Sequence, residues 1–240
     1  MVHVKISGLT AATQAACCVE LGATAIGVIF CANDPRQVTV GSALEIARAA
    51  RAIAREKQVH VDIVGIVANM PLDAMRALAK DAELDCLELA GDESPDMVSA
   101  LLPRAYKAVY VASNADLLSG EAFPGDYLLV DVGAYRHTPL QPRIFVGAQH
   151  AAPLPAPQPP TMKSRPIESG LDWMLLRALS QGRKLTLAGG LHPGNVRDAV
   201  SAVRPFCVDV TSGVERSPGD IDFRKVKRFI LAAKSAYAAI

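Results

Sequence analysis

Eight short apolar runs, each followed by a helical pattern, constrain the fold of this 240-residue chain most strongly. The runs are rich in Val, Ile and Leu, and Ala-rich stretches with helical spacing lie between them. Strands that alternate with helices form parallel sheets, because each helix returns the chain to the same end of the sheet. Eight such units in a chain of this length predict closure into a barrel.

We predict strands near residues 2–7, 25–30, 60–67, 84–89, 106–111, 127–132, 184–188 and 206–210. The helices are predicted near 11–21, 41–57, 71–80, 94–101, 113–119, 171–181, 193–203 and 222–239. Pro71, Pro95 and Pro193 stand near helix starts, where the missing N–H of proline costs nothing. The sequence therefore predicts an α/β fold, a single (β/α)8 TIM barrel of parallel strands over residues 1–240.

The segment 133–168 departs from this pattern, because it is rich in proline and shows neither helical nor strand spacing. It is predicted to be an insertion loop after the sixth strand. A long loop at the carboxyl end of a barrel strand is either a functional lid or a disordered insertion, and both alternatives stay open.

Charge and cysteine content limit the class of partner. The chain carries 25 Lys and Arg against 24 Asp and Glu, a net charge of +1, so it lacks the basic surface that nucleic acids select. Its five cysteines show neither CxxC nor His-rich spacing, which argues against disulfides and a metal site. No apolar run reaches 18 residues, and the first residues do not resemble a signal peptide. We expect a cytoplasmic monomer or homodimer that binds a small metabolite, without contact to nucleic acid or membrane.

Two glycine-containing turns at the end of the chain point to a phosphate group. Leu-Ala-Gly-Gly-Leu at 187–191 closes the seventh strand, and the segment 209–219 closes the eighth. In (β/α)8 barrels these two loops present backbone amides to phosphate. The predicted phosphate cradle consists of Gly189, Gly190, Thr211, Ser212 and Gly213. The alternative is that these glycines serve packing alone.

Short motifs along nearly the whole chain carry a family resemblance. They are Lys-Ile-Ser-Gly-Leu-Thr at 5–10, Asp-Pro-Arg at 34–36, Leu-Leu-Val-Asp at 128–131, Leu-Asp-Trp at 171–173, and the two phosphate segments. In this order and at this spacing the sequence resembles the phosphoribosylanthranilate isomerases of tryptophan biosynthesis.

The resemblance implies an Amadori rearrangement of an N-(5-phosphoribosyl) aromatic amine to a 1-deoxyribulose 5-phosphate, without metal or organic cofactor. By position in the family motifs, Asp131 is the general acid and Arg36 contacts the carboxylate of the anthranilate ring. From the residues alone, the alternatives are that Asp131 is a helix or turn cap and that Arg36 is a solvated surface residue.

The chain differs from the family motifs at the residue expected to be the general base and at a second motif. The family's Lys-Ile-Cys-Gly motif here contains Ser7, and its Gln-Leu-His-Gly motif here reads Glu88-Leu-Ala-Gly. An unassisted hydroxyl is a far weaker base than a thiolate, so Ser7 does not simply inherit the role. Cys31 and Glu88 are candidates for a relocated base. Their alternatives are a buried apolar thiol at Cys31 and a Glu88 paired with Lys5 inside the barrel.

The departures leave three hypotheses about function. The first is a phosphoribosylanthranilate isomerase-type enzyme. The second is a divergent paralogue that acts on another phosphorylated aromatic or sugar substrate, for example in a pterin-type cofactor route. The third is a protein that binds a phosphorylated metabolite without turnover. Fold alone does not separate them, because barrels of this kind host many chemistries.

Overall fold

The computed structural model describes residues 1–111, 113–132 and 173–238, and it contains a closed barrel of eight parallel strands in sequential order. The strands are β1 (His3–Ser7), β2 (Ala25–Ile29), β3 (Asp62–Val67), β4 (Cys86–Leu89), β5 (Ala105–Tyr110), β6 (Tyr127–Asp131), β7 (Lys184–Ala188) and β8 (Cys207–Val210). All eight predicted strands are confirmed, and so is the barrel.

Eight helices surround the barrel in the described part of the chain. They are α1 (Ala12–Glu20), α2 (Val40–Glu56), α3 (Leu72–Asp81), α4 (Pro95–Leu101), α5 (Asn114–Ser119), α6 (Trp173–Gly182), α7 (Val196–Val203) and α8 (Phe223–Ala238). Local sequence sets several of their starts: the Thr39 and Ser94 side chains each accept a backbone N–H of the first helical turn. The buried face of α2 follows the spacing of an amphipathic helix, and its members are Ala43, Ile46, Ala47, Ala50 and Ala54.

The strands are buried on both faces, as expected for parallel strands covered by helices. A large outer core fills the layer between strands and helices, and Phe229 of α8 is fully buried there. A smaller cluster lies inside the barrel and consists of Val64, Tyr106, Ala108, Leu129 and Ala188. Polar side chains of the strands are buried as well, and Lys5, Glu88 and Asp209 are among them.

Two differences from the sequence-based expectation concern the loops after β7 and β8. Helix α7 begins at Val196 rather than near residue 193, because the Asn195 side chain accepts the His192 N–H at 2.7 Å and holds the preceding turn. After β8 the chain forms a short antiparallel hairpin, β9 (Glu215–Ser217) with β10 (Asp220–Ile221), which the sequence did not predict. The predicted insertion at 133–168 lies outside the described residues and stays a prediction. None of the described helices is long and apolar enough to cross a membrane.

Candidate active site

The barrel order places the predicted site residues at one rim. Strands β6, β7, β8 and β1 are consecutive neighbours, and in a parallel barrel their carboxyl ends lie side by side. Asp131 ends β6 and pairs in register with Ala188, the residue before the Gly189-Gly190 turn. Ser7 ends β1, next to β8 and its loop. The two ends that carry Asp131 and Ser7 therefore flank the two loops of the predicted phosphate cradle.

A network of buried polar side chains fills the barrel below Ser7. It consists of Lys5, Ser7, Glu88, Tyr106 and Asp209, and we call it the lysine cluster. The Lys5 ammonium donates to Glu88 Oε2 and to Asp209 Oδ2, the latter at 2.9 Å. The Ser7 hydroxyl donates to Asp209 Oδ1 at 2.7 Å, and the Tyr106 hydroxyl donates to Glu88 Oε2 at 2.9 Å. The alternative reading of Glu88, a pairing with Lys5, is confirmed.

Electrostatics keeps this cluster ionised at its centre. Burial alone would lower the pKa of Lys5, which is 2% exposed, but the two carboxylates outweigh burial and raise that pKa above its ordinary value. Burial, followed by the charge of Glu88, raises the pKa of Tyr106, so its phenol stays protonated and donates. The cluster thus holds one cation against two carboxylates.

The side chain of Asn195, the residue before α7, is hydrogen-bonded across the turn after β7. Gly189 and Gly190 both have positive φ, +95° and +63°, a region that favours glycine. Asn195 fixes the turn through its amide, which donates to the Gly190 carbonyl at 3.0 Å and accepts from His192. The His192 ring nitrogen Nδ1 accepts the Gly194 N–H at 3.1 Å, so this ring is engaged within its own loop.

The turn after β8 packs against the turn after β7. A Cβ at position 213 would lie 2.0 Å from the Leu191 carbonyl oxygen, so only glycine allows this contact. A short 3-10 turn, Ser212–Val214, follows β8 directly. Within the described residues, the amides of Gly190, Ser212 and Gly213 donate to no protein acceptor. Exposed amides of this kind, on two adjacent loops, are suited to an anion.

Arg36 joins the loop after β2 to the hairpin after β8. Its Nε and Nη2 donate to the two carboxylate oxygens of Glu215, both at 2.7 Å, and its side chain packs over Gly8. Glu215 Oε1 also accepts the Gly219 N–H at 2.8 Å. The bidentate pair fixes the plane of the guanidinium. Arg36 is therefore held at the rim beside Ser7 instead of being a solvated surface residue.

The environments of Asp131 and Cys31 differ. Asp131 is half-buried at the end of β6, and its charge, after burial and Glu88, helps to raise the pKa of the neighbouring Tyr110. Burial, followed by the charge of Asp34, raises the pKa of the Cys31 thiol to about 12. The Cys31 thiol is therefore protonated at neutral pH, where it is a weak base. Its assignment as the base stays a prediction.

Three interactions were not anticipated from the sequence. Asp209 connects Ser7 to Lys5, and Glu215 holds Arg36. A second buried ion pair, Lys107–Glu93 at 2.9 Å, lies at the rim, where Glu93 also accepts the Asn69 and Gly91 amides and so holds the loops after β3 and β4. The described residues contain no group of three or more His, Cys, Asp or Glu arranged as metal ligands.

The fold and site define a (β/α)8-barrel protein with two glycine turns suited to phosphate and titratable side chains on both sides of them. The family model of N-(5'phosphoribosyl)anthranilate (PRA) isomerase matches residues 4–137 and 167–232. The chain belongs to this family. Residues 138–166, between the two matched stretches, fall within the proline-rich segment.

Relatives and solved structures agree with this assignment. The chain is 35% identical over 238 residues to N-(5'-phosphoribosyl)anthranilate isomerase of Roseiflexus castenholzii, which covers 97% of this chain and 98% of the relative. The Bacillus cereus enzyme of the same name is 31% identical, over 96% and 97% of the two chains.

Phosphoribosyl anthranilate isomerase of Thermotoga maritima superposes with a TM-score of 0.71 and 31% identity, over 98% of this chain and 100% of that chain. A structure of such an isomerase in complex with reduced 1-(o-carboxyphenylamino)-1-deoxyribulose 5-phosphate superposes equally well, with a TM-score of 0.71 and 30% identity over the same shares.

Removal of the Lys5 ammonium from the lysine cluster should strongly destabilise the protein. Lys5→Met leaves two buried carboxylates without their partner, so we expect the free energy of unfolding to fall by about 3–5 kcal/mol. Because the folded pKa of Lys5 is raised, its contribution is present at neutral pH and is lost only as the pH rises through that folded pKa. Urea unfolding at pH 7 measures the change. Lys57→Met, which removes an exposed pair with Glu20, is the control and should cost less than about 1 kcal/mol. Equal losses in the two variants would contradict the prediction.

The contact between the two glycine turns predicts that Gly213→Ala weakens anion binding. The added Cβ forces the turn after β8 away from Leu191 and displaces the amides, so the affinity for inorganic phosphate should fall about tenfold or more. Isothermal titration calorimetry measures this. The matched control is Gly41→Ala at the start of α2, where the nearest atom to a new Cβ is 3.8 Å away, and the phosphate affinity should not change.

Proposed function

We propose that this protein catalyses the isomerisation of N-(5'-phosphoribosyl)anthranilate to 1-(o-carboxyphenylamino)-1-deoxyribulose 5-phosphate. The observation that carries the proposal is the order β6, β7, β8, β1 at the rim. It places Asp131 on one side of two exposed glycine turns and Ser7, with Asp209, on the other. Family membership supports the same reaction. No described feature favours a different phosphorylated substrate or a protein without turnover.

The reaction needs an acid and a base at separate points of one sugar chain and a fixed anchor for its phosphate. Protonation of the ring oxygen opens the ribose, and removal of the C2 proton then gives the enolamine. We assign the first role to Asp131, because its place at the end of β6 is beside the turn at Gly189 and away from Ser7. The phosphate would be held by the amides of Gly189, Gly190, Ser212 and Gly213, with Thr211 at the edge.

We assign the anthranilate carboxylate to Arg36. The guanidinium donates through Nε and Nη2 to Glu215 and through Nη1 to Asp34 Oδ1 at 3.4 Å, so two of its five N–H groups, one on Nη1 and one on Nη2, are left for a ligand. A guanidinium whose plane is already fixed loses little side-chain entropy when it binds a second carboxylate. A cytoplasmic location and the choice between monomer and homodimer stay predictions.

Asp131→Asn tests the acid. The amide cannot donate a proton to the ring oxygen, so kcat/KM for freshly prepared phosphoribosylanthranilate should fall by about 10²–10⁴ in a fluorescence assay. Asp126→Asn is the matched control, since Asp126 is exposed at the opposite end of the same strand, and it should keep the rate of the parent protein. An Asp131→Asn variant as active as the control would remove Asp131 from the mechanism.

Arg36→Gln tests the carboxylate contact through substrate discrimination. The two substrates compared are phosphoribosylanthranilate and N-(5'-phosphoribosyl)aniline, which lacks the carboxylate. The parent protein should prefer the anthranilate, and Arg36→Gln should reduce the ratio of the two kcat/KM values by about tenfold to a hundredfold. Arg55→Gln, at an exposed position of α2, should leave the ratio unchanged. A ratio that survives Arg36→Gln would mean that another residue contacts the carboxylate.

A further inference from the structure

The lysine cluster bears on the identity of the base, a question that rests on the proposed isomerase function. The resemblance places the family's basic cysteine at the position of Ser7. Ser7 is 1% exposed, and its hydroxyl donates to Asp209 Oδ1 at 2.7 Å. A hydroxyl whose proton is directed at a carboxylate is an assisted base, because that proton can leave as a new one arrives.

The carboxylate that assists Ser7 is Asp209 rather than Glu88. Glu88 Oε2 accepts from Lys5 and Tyr106, whereas the Ser7 hydroxyl donates to Asp209. Asp209 uses Oδ2 for Lys5 and keeps Oδ1 for Ser7, so its two oxygens have separate functions. Cys31 lies outside the cluster, and its thiol donates to the Ile66 carbonyl.

The lysine cluster contains two carboxyl side chains and one ammonium. Lys5, Glu88 and Asp209 lie in the barrel interior, where each of the three is at most 7% exposed. Glu88 shares the Lys5 ammonium with Asp209, so the cation does not neutralise Asp209 alone. A glutamine at position 88, as in the family motif, would leave Lys5 to Asp209 alone.

We propose that Ser7 and Asp209 form a proton relay that replaces the missing cysteine, with Ser7 in contact with the substrate and Asp209 as the terminal proton acceptor. In the ring-opened, protonated imine, the C2–H bond breaks and its electron pair forms the C1=C2 bond, while the imine π pair moves to nitrogen. The C2 proton goes to Ser7 Oγ as the hydroxyl proton goes to Asp209. Return of that proton through Ser7 to C1, with loss of the enol O–H proton to Asp131, gives the ketone and restores both groups.

The test is a double-mutant comparison with phosphoribosylanthranilate. In the parent protein, Ser7→Ala and Asp209→Asn should each lower kcat by about 10³, within the range of a general base. A thiol is far more acidic than a hydroxyl, so Ser7→Cys supplies a base that depends much less on a neighbouring proton acceptor. Asp209→Asn should therefore cost less than about tenfold in the Ser7→Cys background. A purely structural role of Asp209 would cost the same in both backgrounds, and that result would overturn the relay.

Two single variants complete the test. Glu88→Gln should cost about tenfold, since it alters the sharing of Lys5 and the Tyr106 hydrogen bond but leaves the Ser7–Asp209 contact in place. A loss as large as that of Asp209→Asn would make Glu88 the base. A Ser7→Ala variant that keeps the parent rate would also overturn the relay, whether or not Ser7→Cys is active. Binding of reduced 1-(o-carboxyphenylamino)-1-deoxyribulose 5-phosphate by each variant shows that the site is folded. Absence of turnover by the parent protein is a different result, because it contradicts the proposed function and the relay falls with it.

Discussion

The Lys5 ammonium is the interaction on which the rest of the site depends. It lies inside the barrel, nearly without solvent contact, and links β1 to Glu88 of β4 and to Asp209 of β8. Moving charges into a medium of low polarity costs several kcal/mol for each ion, and only close partners offset that cost. Three strands must therefore hold their register for the cluster to exist. The same interaction therefore supports the closure of the barrel and the geometry of the site.

The order of the strands determines where each part of the site lies around the rim. The lysine cluster lies on the β1 and β8 side, Asp131 on the β6 side, and the two glycine turns between them. A substrate whose phosphate occupies the turns has one flank toward a half-buried carboxyl and the other toward Ser7. Gly213 of the turn after β8 packs against Leu191 of the turn after β7, so the two turns are held in a fixed position relative to each other. Arg36 adds a third fixed point, through its pair with Glu215.

The sequence predicted features that depend on local pattern. Alternating runs gave all eight strands to within about two residues, since strands covered on both faces are continuous apolar runs. The glycine turns were visible because positive φ selects glycine. Partners across the barrel were not visible: Ser7 and Asp209 are 202 residues apart, and Arg36 and Glu215 are 179 apart. Asp209 was seen only as part of a strand ending, because nothing local to Cys207–Val210 indicates which side chain it faces. The Glu88–Lys5 pairing is predictable from the sequence, because a buried carboxylate requires a cation and the first strand contains Lys5.

The two departures from the family motifs, at Ser7 and at Glu88, are linked by contacts and not only by sequence. Ser7 touches Asp209, Asp209 shares Lys5 with Glu88, and so both changes fall within one hydrogen-bonded cluster. One change removes a thiol that ionises by itself, and the other adds a carboxylate next to the cation that would otherwise belong to Asp209. Under the proposed relay, the base is the carboxylate of Asp209, one hydrogen bond from the Ser7 hydroxyl, and Glu88 acts on it only through the Lys5 ammonium that the two carboxylates share.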